Sequence, residues 1–387
     1  MLLLTFTGPD TPGITAEVTR ILAAAQARLL DVEQVVVQGF LTLGFAVELP
    51  ERERALKELL FAAKGMGLEL EYRELAPAPP AARARYVVTA IARELGPQAL
   101  HAIARALADH GANIERIHRL SEGGLASVEF AVSLSGDEGA LKRALLEAAG
   151  QSGFDCALQK ESLLRRNKRL VVMDMDSTLI RIEVIDELAR AHGVYDAVSA
   201  ITRRAMLGEL DFDQSLRARV ALLQGLDARV LFELAANLPL MDGAETLLRV
   251  LKRLGYRTAV ISGGFSHAAD ALKKRLGIDF AWANTLEISA GGLLTGQVLG
   301  PIVNAQRKAE LLELFAQREG VPLDQVIAIG DGANDLLMLQ KAGHGIAFHA
   351  KPKLREAAHT AISASGLDAI LYLLGMSGRD IASVDAS

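Results

Sequence analysis

Leu170-Val171-Val172-Met173-Asp174-Met175-Asp176-Ser177-Thr178 is the stretch whose reading decides the fold. Its apolar start has the length and β-branched content of a buried parallel strand, and open α/β sheets bind ligands beyond the carboxyl ends of such strands. Side chains two apart on an extended segment point the same way, so Asp174 and Asp176 face one ligand while Met175 faces the core. Carboxylates so close resist ionising together: either one keeps a proton or a cation sits beside them. An Asx or Ser/Thr turn capping a helix accounts for the same residues, and sequence farther along must decide.

Downstream, residues 183 to about 238 carry helical periodicity with no strand signal and predict a helical insertion able to close over a substrate. The sheet resumes at Thr258-Ala259-Val260-Ile261 and ends at Ser262-Gly263-Gly264, where a hydroxyl and unhindered amides can face a phosphate. Residues 282–301, with Ala290-Gly291-Gly292 at the turn, predict a β-hairpin, and Lys308 opens a helix. Another buried strand, Val326-Ile327-Ala328-Ile329-Gly330, delivers Asp331-Gly332-Ala333-Asn334-Asp335.

Upstream, residues 2–73 read as strand, helix from 13 to about 28, two strands, helix and strand, a βαββαβ unit whose helices place Val18, Ile21 and Leu22, then Leu56, Leu59 and Leu60, on one face. Proline lacks an amide donor and fixes its own backbone, so the run from Arg73 to Pro80 predicts a semi-rigid linker. From Arg85 the grammar repeats, with Arg105 falling where Arg20 stood and Phe130-Ala131-Val132 where Phe45-Ala46-Val47 stood: a tandem duplication. The basic bridge Arg165-Arg166-Asn167-Lys168-Arg169 reads as a solvated connection to the aspartate strand.

A chain of 387 residues that is 50% hydrophobic has material for two or three packed domains. A net charge of -5 and no long Lys/Arg tract argue against nucleic acid or anionic membrane as partners. No apolar run approaches the roughly 20 residues of a bilayer span. Met1-Leu2-Leu3-Leu4 lacks the basic start of a signal peptide, and the single cysteine, Cys156, read as a core thiol, excludes an internal disulfide framework; both predict a cytoplasmic protein.

Asp-x-Asp-x-Thr, a serine at a second strand end, a lysine, then Gly-Asp-Gly-x-Asn-Asp, in that order, is the motif set that the chain shares with the haloacid dehalogenase-like phosphatases, which it resembles from 170 to about 375. The duplicated units, with Asp10-Thr11-Pro12-Gly13 before the first helix, resemble ACT domains, small ferredoxin-like modules that bind amino acids at their interfaces; the second copy has Glu94-Leu95-Gly96-Pro97 there instead. The resemblance implies ACT domains at 1–75 and 84–160 and a Rossmann-like catalytic domain at 168–380 with its helical cap at about 183–238.

It also implies a mechanism. Asp174 is the nucleophile, forming an aspartyl-phosphate, and Asp176 the general acid and base. Mg²⁺ is held by Asp174, the backbone carbonyl of Asp176 and Asp331, with Asp335 orienting them. Ser262, the Gly263 amide and Lys308 hold and neutralise the phosphoryl group, and Asn334 hydrogen-bonds phosphate or substrate. With Glu183, Arg219 and the paired modules, the whole chain resembles the ACT-bearing members that act on phosphoserine in the last step of L-serine biosynthesis. Glu183 then meets the ammonium, Arg219 the carboxylate, and Phe212 and Met206 the apolar part of the closed cap. Asp10 and Gly13 are the expected contacts of an amino-acid effector, L-serine, in a homodimer joined through its ACT modules. The alternatives are phosphotransfer to homoserine and an amino-acid-binding regulator without catalysis.

Overall fold

The computed structural model describes residues 1–76, 84–121 and 124–385. They form two compact units, Met1–Ala82 and Arg83–Ser387. The proline run Pro77-Ala78-Pro79-Pro80, expected to be a linker, lies outside the described residues.

In the first unit β1 (Leu2–Pro9), β2 (Arg28–Val37), β3 (Phe40–Glu48) and β4 (Glu69–Glu74) form an antiparallel sheet in the order β2-β3-β1-β4, and helices Ile14–Ala24 and Arg52–Gly65 cover it. Alternation along β1 sends Leu2, Leu4 and Phe6 into the core against Val18, Ile21, Leu43 and Leu59. The first helix ends at Ala24, short of the expected position near 28, because Gln26 turns left-handed (φ 50°) and β2 already starts at Arg28. Gly13 precedes this helix at φ 101°, a conformation costly for any residue with a Cβ.

The second unit begins with the same grammar. β5 (Ala84–Ala92), β6 (Ala112–Arg119), β7 (Ala126–Leu134) and β8 (Asp155–Lys160) lie in the order β6-β7-β5-β8, the order of the first unit, with helices Pro97–Asp109 and Glu138–Ser152. Cys156 is buried in this core, as expected, and burial pushes its thiol up to about 12.

The catalytic sheet contains β9 (Leu170–Met173), β10 (Arg257–Phe265), β11 (Phe280–Ile288), β12 (Leu294–Leu299), β13 (Val326–Gly330), β14 (His344–Phe348) and β15 (Thr360–Ile362). Their order is β12-β11-β10-β9-β13-β14-β15, all parallel except the β11–β12 hairpin. β9 sits between β10 and β13, with every side chain buried, so Asp174 emerges at the centre of the sheet. The predicted helical insertion is present as Val184–His192, Tyr195–Met206, Phe212–Ala221 and Ala228–Ala236.

The sequence reading assigned neither β14 nor β15, and they change the architecture. β15 pairs antiparallel with β8 at Ala361 and Cys156, so the second module and the catalytic sheet form one 11-stranded sheet. The Asp155 carboxylate accepts amide hydrogens from Ser363 (2.6 Å), Ala364 and Ser365 (3.0 Å) across this junction. The basic bridge is correspondingly a solvated linker only in part: Arg166, Asn167 and Arg169 are exposed, but two of its cations are buried. Arg165 is 5% exposed and donates to Glu129 of β7 at 2.8 Å, and Lys168, 8% exposed, donates to the Asp324 carbonyl at 2.6 Å. Glu129 and Asp324 come from distant elements, which is why charge composition alone pointed to solvent.

Candidate active site

The Asp174 amide donates to the Ile329 carbonyl (2.9 Å), extending β9 by one residue, and then the chain turns sharply. The amides of Thr178, Leu179 and Ile180 all fold back onto the Met175 carbonyl, with Ser177 left-handed at φ 56°. Met175 is fully buried, as its alternate position requires. Asp176 Oδ1 accepts the Val184 amide at 3.2 Å, tying the loop to the start of the cap. Ser177 Oγ donates to Glu183 Oε1 (2.7 Å), and Thr178 Oγ1 to Asp331 Oδ1 (2.9 Å).

Lys308 extends from helix Ala305–Arg318 into the centre, fully buried, with Nζ 2.7 Å from both Asp174 Oδ2 and Asp335 Oδ1. Burial opposes its charge, but the two carboxylates outweigh that and hold its pKa above the usual lysine value. Asp174 is pushed well above the carboxylate range by burial and by Asp335, against the pull of Lys308. Asp176 is pushed up to about 8 by burial and then Glu183, and Asp331 to about 7 by burial and then Asp335. Such values mark carboxylates crowded beyond what one lysine neutralises.

Oxygens of Asp174, Asp331 and Asp335 lie within 4.8 Å of one another. An all-oxygen carboxylate set fits a hard divalent cation. Asp174 and Asp335 are each engaged on both oxygens, Asp174 by the Met175 amide (2.7 Å) and Lys308, Asp335 by Lys308 and the Gly332 amide (3.0 Å), whereas Asp331 receives only Thr178 among the described hydrogen bonds.

Ser262 is buried within β10, beyond its pairing with β9, and its Oγ accepts the Gly264 amide at 2.8 Å, leaving its own O–H to donate. A Cβ at Gly264 would press on the Asp176 carboxylate and the Met175 side chain, so glycine lets both sit against this strand. At Gly263 it would stand 2.8 Å from the Phe212 ring, so the cap already touches this stretch of β10. Buried Asn284, overlooked in the sequence, clamps this stretch by donating to the Gly263 carbonyl (2.8 Å) and accepting the Val303 amide (2.9 Å). Only its position on β11, next to β10, could have signalled it.

Cap and core enclose a cavity of about 580 Å³. Asp174, Asp176, Glu183, Met206, Phe212, Arg219, Ser262, Gly263, Asp331 and Asn334 line it; Lys308 and Asp335 lie beneath its floor. Arg219 Nε donates to the Ser215 carbonyl at 3.3 Å, and burial lowers its pKa against the raising fields of Glu183, Asp186 and Asp176. Met206 is 64% exposed at the rim, beside Lys351 Nζ at 3.8 Å from its sulfur. Asp186 and Lys351 also line the cavity and were not foreseen; Lys351 follows β14, a strand that the sequence reading left unassigned.

Fold and site together define a haloacid dehalogenase-like hydrolase, and the model of that family matches residues 168–343, while ACT-domain models match 1–73 and 84–159. A phosphoserine phosphatase of Streptomyces coelicolor is 48% identical over 388 residues, covering 99% of this chain and 94% of that one. The chain belongs to the phosphoserine phosphatases of the haloacid dehalogenase-like superfamily that carry tandem N-terminal ACT domains. Among solved structures, a haloacid dehalogenase family hydrolase of Salmonella enterica serovar Typhi superposes with a TM-score of 0.68 at 32% identity, over 75% of this chain and 98% of that one. A phospho-aspartyl intermediate analogue of phosphoserine phosphatase does so at 0.50 with 45% identity, over 53% and 98%.

Proposed function

We propose that this chain hydrolyses O-phospho-L-serine to L-serine and phosphate through an aspartyl-phosphate on Asp174. The observation that carries the reading is buried Lys308 against Asp174, beneath a cavity that also presents one guanidinium, Arg219, and one cap carboxylate, Glu183. A phosphate monoester resists attack because its oxygens repel nucleophiles and its alkoxide leaves badly. Asp174 attacks phosphorus while Asp176 gives its proton to the departing seryl oxygen; water then attacks the acyl phosphate as Asp176 takes a proton back. Lys308, the Ser262 hydroxyl and the Gly263 amide balance the phosphoryl oxygens. Arg219 meets the substrate carboxylate, Glu183 its ammonium, Asn334 the phosphate edge, and Phe212 with Met206 the closed cap. Asp174, Asp331 and the Asp176 carbonyl would hold Mg²⁺, with Asp335 behind them, and the bound cation offsets the negative charge of the phosphoryl group. The relative trapped as a phospho-aspartyl analogue supports the covalent step.

Phosphate release from phosphoserine with Mg²⁺ tests this reading, and product analysis with homoserine present separates hydrolysis from phosphotransfer. Absence of turnover with either acceptor would leave an amino-acid-binding regulator. We further infer that the ACT pair binds an amino-acid effector, L-serine, near Asp10 and Gly13, and joins two copies of the chain in the cytoplasm. The exposed Asp10 beside the left-handed Gly13 turn supports the first point. The edge strand β2, with Leu29, Val32, Val35 and Val37 exposed, supports the second, and the single buried cysteine the third.

A further inference from the structure

A second cavity, of about 340 Å³, lies where the second ACT module meets the catalytic sheet, on the side of the sheet away from Asp174. Lys142 comes from helix Glu138–Ser152 of the module, Gln159 from β8, Lys168 from the segment before β9, His344 from the start of β14, and His359 from the turn into β15. The Lys142 ammonium donates to the Ala358 carbonyl and that of Lys168 to the Asp324 carbonyl at 2.6 Å. Among the described residues neither has a carboxylate within ion-pair distance. Arg165, by contrast, is matched by Glu129, and Glu138 of the lining receives the Tyr86 hydroxyl at 2.9 Å. Glu138 draws on half-buried Lys142 and Asp324 on buried Lys168, but from beyond ion-pair distance, so part of each ammonium's charge is left uncompensated.

The two imidazoles do not relieve this. Their rings stack with centroids 5.8 Å apart, and burial, then charge, disfavours protonation of both: His344 is pushed down to about 3 by burial, His359 and the neighbouring cations. The Gly345 amide donates to His359 Nδ1 at 2.9 Å, which puts the ring proton on Nε2 as a further donor. Donors and positive charge from two halves of the unit thus converge on one cavity.

We propose that this junction cavity is a binding site for a small phosphate-type oxyanion, held by Lys142 and Lys168 with His359 as neutral donor. Its chemistry is shared by inorganic phosphate and by a phosphate monoester, and it does not depend on the reaction at Asp174. The site would clamp the module to the catalytic core, because its two ammonium groups belong one to each. Lys168 precedes β9, whose far end carries Asp174, and Asp324 precedes β13, whose far end leads to Asp331, so the same strands join the two sites.

The test is amide hydrogen exchange of the full-length protein in chelator, with inorganic phosphate as one probe and O-phosphoserine on Asp174→Asn protein as the other. Phosphate-dependent slowing is expected in segments 156–160, 344–348 and 358–362, separately from any slowing at 262–264 and 331–335. In Lys142→Gln/Lys168→Gln the affinity read at the junction segments should fall about tenfold or more, as loss of charge-assisted bonds implies, while Lys142→Arg retains it. Tighter protection by one probe than the other identifies free phosphate or the ester as the source. Protection confined to the catalytic segments overturns the proposal. So does junction protection unchanged in the double variant, and Lys142→Arg guards against mistaking misfolding for lost binding.

Discussion

Lys308 holds the site's charge balance: with Asp174, Asp331 and Asp335 gathered within 4.8 Å, one ammonium cannot neutralise them all. Chelation with EDTA should therefore abolish turnover, and Mg²⁺ should restore it; turnover persisting in chelator would sink the metal assignment. Asp174→Asn keeps nearly the same shape but cannot form an acyl phosphate, so phosphoserine turnover should vanish with the melting curve intact. Retained turnover in purified variant would remove Asp174 from its role. Arg219→Ala should lower kcat/KM for phosphoserine by roughly tenfold to a hundredfold, since a charge-assisted contact is worth on the order of 1.5–3 kcal/mol, with little effect on an ester lacking the carboxylate. An equal loss on both esters would assign Arg219 to phosphate or to structure.

At the scale of elements, Asp155 ties β8 to the residues after β15, and the segment leaving β8 is tied back to β7 by a buried ion pair. Arg165 and Glu129 are both buried, at 5% and 7% exposure. Removing one member of such a pair strands the other charge, so Glu129→Ala should destabilise the second unit by on the order of 3–5 kcal/mol. Denaturant unfolding of the isolated 83–387 chain measures it, and a change below about 1 kcal/mol would mean that Arg165 reaches water when unpaired.

For the whole molecule, the division after residue 82 fixes how regulation can be dissected. A truncation near Arg165 would strip β8 from β15 and expose Arg165, so a chain starting at Arg83 is the informative one. Inhibition by L-serine at saturating phosphoserine, which suppresses product competition, should be present in the full chain and weakened in Asp10→Ala. It should be lost in the 83–387 chain. A typical allosteric coupling of about 1–3 kcal/mol sets the size of the effect. Inhibition unchanged in all three proteins would place serine in the catalytic cavity and leave the first module a dimerising role.

The sequence by itself determined the duplicated βαββαβ units, the helical cap and the residues gathered around Asp174, because each lies in a short motif at a strand end or helix start, where local pattern and backbone geometry coincide. Tertiary structure alone decided that Asn284 clamps the 262–264 stretch, that Lys351 borders the cap, and that the second ACT module shares its sheet with the catalytic domain. β15 is three residues long and meets β8 through the single pair Ala361 and Cys156, too little for any local periodicity to register. Arg165 and Lys168 read as solvated because a charge is buried only when a partner arrives from elsewhere in the chain, and Glu129 and the Asp324 carbonyl do that only after folding.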